Sequence, residues 1–132
     1  DREGRMLVAN RGVTELVGKP PEEYIGRTDL EFLDHKDQAR IVMENDRRIM
    51  EAGEPETLEE EVSFPDGRKV VWLSTKAPFR DAHGEVMGLI GSSIDITPRK
   101  AAEAALQQRT DELSEAHSRL ESALRSRDEF LS

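Results

Sequence analysis

The sequence predicts an α+β fold, an antiparallel sheet with its helices segregated to one face, followed by one long C-terminal α-helix. Three observations predict it. A helical pattern over Lys36 to Ala52 precedes three strand-like segments, which are separated by turns containing Asp and Gly. All nine glycines lie at or before Gly91, and the last of the six prolines is Pro98. From Arg99 to Ser132 there is neither, and a run without breakers reads as continuous helix.

The chain has 132 residues, of which 36% are hydrophobic and six are aromatic. That supports one modest core of about 100 residues and excludes a large multi-domain enzyme. The expected division is a domain over 1–97 and a helical linker over 98–132. Nineteen basic and 28 acidic side chains give a net charge of -9. Residues 1–97 hold 13 basic and 21 acidic groups and residues 98–132 hold 6 and 7, so the acidity belongs to the domain. Without clustered Lys and Arg, no counterion-releasing surface for nucleic acid is expected. No apolar run approaches the roughly 18 residues of a membrane span. The opening Asp1-Arg2-Glu3-Gly4 is unlike a signal peptide, so the expected setting is cytoplasmic, without membrane contact. With no cysteine, disulfides, thiolate zinc sites, thiol nucleophiles and cysteinyl photoadducts are chemically excluded.

In chain order, Arg5-Met-Leu-Val-Ala9 reads as a strand and Val13–Val17 as a short helix. Pro20-Pro21 presets a helical turn whose positive end suits Glu22 and Glu23, and short helices continue to Leu33. Over Lys36–Ala52 the apolar Ala39, Ile41, Val42, Met43, Ile49 and Met50 form a broad face, which Gly53 closes. Thr57–Phe64, Arg68–Phe79 and Glu85–Ile96 then read as a three-stranded meander turning at Pro65-Asp66-Gly67 and at Asp81-Ala82-His83-Gly84. Thr97-Pro98 marks a helix start, a capping hydroxyl followed by proline.

That last helix would run roughly 50 Å at 1.5 Å per residue, too long to pack wholly on a domain of this size. Leu106, Leu113 and Leu120 recur every seven residues. A coiled coil draws its second row either from Thr110, His117, Leu124 and Leu131 or from Arg109, Ala116, Ala123 and Phe130. Glu115 with Arg119 and Glu121 with Arg125 add i,i+4 pairs. A self-associating coil is expected over a lone solvated helix or one folded back on the sheet.

Catalytic and metal-binding patterns fail on spacing, so no catalytic or metal residue is assigned. Gly12 to Gly18-Lys19 has five residues between its glycines where a phosphate loop needs four, and Pro20 replaces the hydroxyl. Gly88-Leu-Ile-Gly91-Ser92-Ser93 lacks the closing glycine of a nucleophile elbow. His35, His83 and His117 form no ligand pair at helical spacing and read as surface residues; His35 as a haem ligand is the weaker alternative. Of Glu59, Glu60 and Glu61, only Glu60 shares a strand face with Leu58, Val62 and Phe64. Lys76 is its expected partner, in a buried or half-buried ion pair rather than a ligand contact.

Several of these segments together resemble a PAS sensor domain. They are Asp1 to Asn10, Leu16-Val-Gly18, Tyr24-Ile-Gly26, Asp66-Gly67, Ala77-Pro-Phe-Arg-Asp81, Gly84 and above all Gly91-Ser-Ser-Ile-Asp95-Ile96-Thr97, similar to the family's closing Asp-Ile-Thr motif. The likeness covers nearly all of 1–97. The apolar strand residues usual before the position of Asp1 are absent, which leaves open whether the first strand is complete. Ser126-Arg-Asp-Glu-Phe-Leu-Ser132 resembles the entry to a sensor histidine kinase dimerisation helix. His117 is followed by Ser-Arg-Leu and not by Glu, so the phosphoacceptor role is not transferred to it.

The resemblance implies a cavity between helices and sheet. Similarity to flavin-binding relatives places Val62, Phe64, Trp72, Ser74, Met87, Leu89, Gly91 and Ser93 toward it. No cofactor is required; a noncovalent small molecule is compatible, a cysteinyl-flavin adduct is not. The opposite face, with Val71, Leu73, Ala77, Ile90 and Ile94, is apolar enough for an interface. The expected function is a signal-sensing module of a two-component system, homodimeric through its sheet and through Leu106, Leu113, Leu120, Leu124 and Leu131. It would act on the parent chain's kinase domain, with Asp95 and Thr97 as the coupling joint. The alternative is an interaction and dimerisation module whose cavity is filled by its own side chains.

Overall fold

In the computed structural model, which describes residues 1–131, local caps set the limits of the first helices. α1 (Arg11–Val17) is opened by Asn10, whose side chain accepts a hydrogen bond from Val13 N at 3.3 Å, and closed by Gly18 at φ 71°. Such a left-handed backbone is cheap only for glycine, and a Cβ here would lie 2.5 Å from Pro65 Cγ. α2 (Pro21–Tyr24) carries Pro21 in its first turn with Glu22 and Glu23. Before α3 (Asp29–Phe32), the Thr28 N–H and hydroxyl both donate to Glu31 Oε1 at 3.1 Å. α4 (Lys36–Ala52) stops at Gly53, φ 72°, as its sequence predicts.

The strands β1 (Glu56–Ser63), β2 (Lys69–Arg80) and β3 (Val86–Asp95) form an antiparallel meander in the order β1-β2-β3. Pairing of Glu60 with Trp72 and of Ser74 with Ser93 fixes the register, and a bulge falls at Phe79/Arg80. Alternation then sorts the side chains. Val62, Val70, Ser74 and Lys76 share one face and are buried there; α4 packs against all three strands. Val71, Leu73, Ala77, Ile90 and Ile94 share the other face, where Ile90 and Ile94 are 63% and 60% exposed. The core beside the helices joins Val17, Tyr24, Phe32, Leu33 and Ala39. Tyr24 and Phe32 stack at 5.6 Å, and the Tyr24 hydroxyl meets Thr14 Oγ1 at 2.5 Å.

The strand expected over Arg5–Ala9 does not form. It is reduced to a single bridge from Arg5 to Thr28. Met6 exchanges hydrogen bonds with Arg27 O at 2.9 Å and Gly26 N at 2.6 Å, while Leu7 and Val8 stay exposed. Apolar composition gives strand propensity, but a strand exists only where a neighbour completes its ladder, and no described residue does so here.

The chain separates into two units, Asp1–Ile96 and the helix beginning at Thr97. α5 (Thr97–Leu131) starts at Thr97 itself, one residue earlier than expected, with Pro98 in the first turn where its missing N–H costs nothing. No residue of α5 is buried. The expected Glu115–Arg119 pair forms at 3.3 Å, whereas Glu121 lies 3.2 Å from His117 Nε2.

Two glycine substitutions separate backbone strain from crowding. At Gly26, φ 81°, a Cβ would meet no atom within 4 Å, so Gly26→Ala carries strain alone, about 1 kcal/mol. Gly18→Ala adds the Pro65 clash and is expected to cost more, about 2 kcal/mol in urea unfolding.

Candidate functional site

On the sheet face covered by α4, β2 carries a lysine among apolar and small side chains. The Lys76 side chain is only 8% exposed. Its Nζ donates to Asp46 Oδ1 on α4 at 2.6 Å and to Glu60 Oε2 on β1 at 2.9 Å. Glu60 pairs in register with Trp72 and not with Lys76, so the ammonium reaches it along the face. Burial alone would depress the Lys76 pKa; Asp46 and Glu60 more than reverse this and hold it above its ordinary value. Asp46 is pushed up by burial, which Lys76 offsets only in part. Asp29, half-buried at the start of α3, is raised from 3.8 to about 6, first by burial and then by Asp46. One cation thus pairs with two carboxylates, Asp46 and Glu60, whose charges also act on Asp29.

The residues expected to face a cavity fall into separate contacts. Ser74 and Ser93 join hydroxyls at 2.7 Å. Phe64 and Trp72 meet edge to face at 6.4 Å, and Arg68 lies over the Phe64 ring at 4.3 Å. Leu89 is half-buried, while Met87, Gly91 and Ser93 are exposed. A cleft of about 710 Å³ opens between Asp34–Gln38 and Ile41 on one side and Glu61–Ser63 and Lys69–Val71 on the other. Of the expected set, Val62 alone lines it. Gln38 crosses this junction, its Oε1 accepting from Ser63 N at 2.9 Å.

Asp95 ends β3 opposite Trp72, and Thr97 opens α5. Between them Ile96, buried, donates its N–H to Val71 O at 2.9 Å. Leu106, Leu113, Leu120, Leu124 and Leu131 are between 49% and 68% exposed. Among the described residues no cluster of three metal-ligating side chains occurs, and no helix is long and apolar enough to cross a membrane.

Sequence reasoning missed Asp46 and Asp29. Asp46 had a readable signal: it sits seven residues after Ala39 and three before Ile49, an acid within the apolar stripe of α4. Asp29 had none beyond its place in a helix's first turn.

The sheet with its covering helix finds its counterpart in known proteins. Residues 1–101 match the family described as PAS fold. The chain belongs to the PAS fold family. This PAS chain is 29% identical over 99 residues to the aerobic respiration control sensor protein ArcB of Escherichia coli K12, covering 75% of this chain and 13% of ArcB. It is 30% identical over 114 residues to the methanogenesis regulatory histidine kinase FilI of Methanothrix harundinacea, covering 86% of this chain and 13% of FilI. The chain therefore spans only 13% of the length of these curated relatives. Among solved structures, the Vibrio cholerae VqmA dimer without its target DNA superposes with TM-score 0.67 at 32% identity, over 75% of this chain and 44% of that one. VqmA has also been solved bound to DPO.

In this PAS domain, removing the shared cation is expected to be severe. Lys76→Met leaves Glu60 and Asp46 without a counter-charge and should cost about 3–5 kcal/mol in chemical unfolding. Adding Glu60→Gln and Asp46→Asn to that variant should recover most of the loss.

Proposed function

We propose that this PAS domain is the sensory part of a cytoplasmic two-component protein, homodimeric through α5 and the open sheet face. In this reading it passes a conformational bias along α5 to a histidine kinase output in the parent chain. The carrying observation is α5: a 35-residue helix without a buried residue, displaying leucines at 106, 113 and 120. Isolated helices draw little stability from propensity, and an apolar stripe of this kind is satisfied by pairing with its twin. Exposed Ile90 and Ile94 give the sheet face the same requirement. The names of ArcB, a sensor protein, and FilI, a histidine kinase, support the output. The kinase-like segment runs from Ser126 to Ser132, of which Ser132 lies outside the described residues.

The fragment itself carries no catalysis in this reading. The DPO held by VqmA supports small-molecule sensing here, with Val62, Phe64, Trp72, Ser74, Met87, Leu89, Gly91 and Ser93 as contact candidates. VqmA also has a target DNA; a net charge of -9 speaks against this chain holding one. The second reading is a dimerisation module without a ligand. It is favoured by the mutual satisfaction of the interior polar groups, since no buried side-chain N or O among the described residues lacks a partner.

Native mass and absorption of the purified chain separate these readings. A dimer with added mass or a chromophore supports sensing, and a dimer of bare chain mass favours the interaction module. Leu113→Glu should shift the dimer to monomer; a wild-type monomer at tens of micromolar would overturn the dimeric proposal. In the intact parent, Asp95→Ala should alter kinase output while leaving the domain's thermal midpoint unchanged.

A further inference from the structure

The two second rows open to α5 differ in the place they give one ionisable group. Both share Leu106, Leu113 and Leu120; the first adds Thr110, His117, Leu124 and Leu131, the second Arg109, Ala116, Ala123 and Phe130. In heptad positions a to g, the shared leucines stand at d in the first register and at a in the second. His117 is therefore a seam residue, at a, in the first register. In the second it moves to the flanking position e.

With His117 neutral, the first register holds the advantage. Its seam encloses Leu106, Leu113, Leu120, Leu124 and Leu131, where the second replaces the last two by Ala116, Ala123 and Phe130. The Thr110 hydroxyl already donates to Leu106 O at 2.9 Å, so enclosing it strands no donor. The second register would enclose the Arg109 guanidinium instead.

Protonation reverses these terms. Histidine is the side chain that changes charge roughly between pH 5 and 8. In the first register the two His117 side chains of a parallel pair meet across the seam, where like charges repel in a poorly hydrated layer. In the second, each faces the twin's Glu112, five residues earlier in sequence at the flanking position g, where interhelical ion pairs form. In the first register Glu112 stands at c, on the outer face, with the Gln108 amide donating to it at 3.3 Å. Glu121, 3.2 Å from His117 Nε2, lies on the same helix in both registers and favours neither. The other seam neighbours, Leu113, Ala116 and Leu120, carry no charge. No residue of α5 is buried, so no charge from the domain enters the balance.

We propose that His117 selects the register of the coil: neutral, it sits in the seam with Leu120 and Leu124; protonated, it leaves the seam for Glu112 of the twin helix, and the alanine row closes. This selection rests on the dimeric reading of α5, and through it mild acidification acts on the linker itself.

The chain has no cysteine, so one introduced thiol reports one position. In the 132-residue chain, Thr110→Cys puts a thiol in the first seam and Ala123→Cys puts one in the second. Disulfide-linked dimer is measured for each at about pH 8 and about pH 5.5. The ratio of the two yields cancels the pH dependence of thiol chemistry common to both. That ratio, Ala123→Cys over Thr110→Cys, should rise about tenfold on acidification. Adding His117→Gln should hold it constant, and adding Glu112→Gln should reduce the rise. A ratio indifferent to pH while dimers still cross-link, or a rise that persists with His117→Gln, would overturn the switch and leave the coil standing. Absence of cross-linking at both positions and both pH values would overturn the coil and the switch with it.

Discussion

A buried ammonium ties α4 to two strands of the sheet. Lys76 reaches Asp46 on the helix and Glu60 on the neighbouring strand from a position almost closed to water. Desolvating such a group costs more than most pairs return, so its main contribution is not net stability. It is specificity: any slip of β1 against β2, or rotation of α4, would strand one buried charge. A one-residue slip would in addition turn Val62 and Glu60 to the opposite face. The apolar contacts of Ile49, Val62 and Val70 supply the driving force.

With α4 committed to one face, the two faces acquire different chemistry. The covered face mixes small hydroxyls, two aromatic rings and the charged cluster, and its polar atoms satisfy one another. The uncovered face is apolar at Val71, Leu73, Ala77, Ile90 and Ile94. Glu59 and Glu61 project on this side of β1, at one edge of the sheet. Acids on an edge strand discourage indiscriminate strand addition while leaving the centre of the face apolar. The two faces of the sheet thus differ in chemistry, one polar beneath α4 and the other apolar.

α5 obeys different rules from the domain. Its residues gain nothing from burial within the unit, and ion pairs such as Arg119 with Glu115 contribute only a few tenths of a kcal/mol each, about 0.3–0.5. Its leucines therefore pose a question of partnership that the domain's core cannot answer. The histidine at 117, close to Glu121, lies in one of the two candidate second rows. The two rows differ in how much polarity they would bury.

Wherever a local feature was sufficient, the amino-acid sequence was legible. Gly53 and the stripe from Ala39 to Met50 determined α4, Asp-Gly turns determined the meander, and the absence of Gly and Pro determined α5. Alternation along β1 also singled out Glu60, with Lys76 as its expected partner. Tertiary structure alone decided the rest. It recruited Asp46, 30 residues from Lys76, and brought Asp29 within range of their charges. It also denied Arg5–Ala9 a ladder despite their strand-like composition. The physical reason is shared: periodicity and capping are properties of neighbours in sequence, whereas a shared cation and a strand's hydrogen bonds belong to neighbours in space.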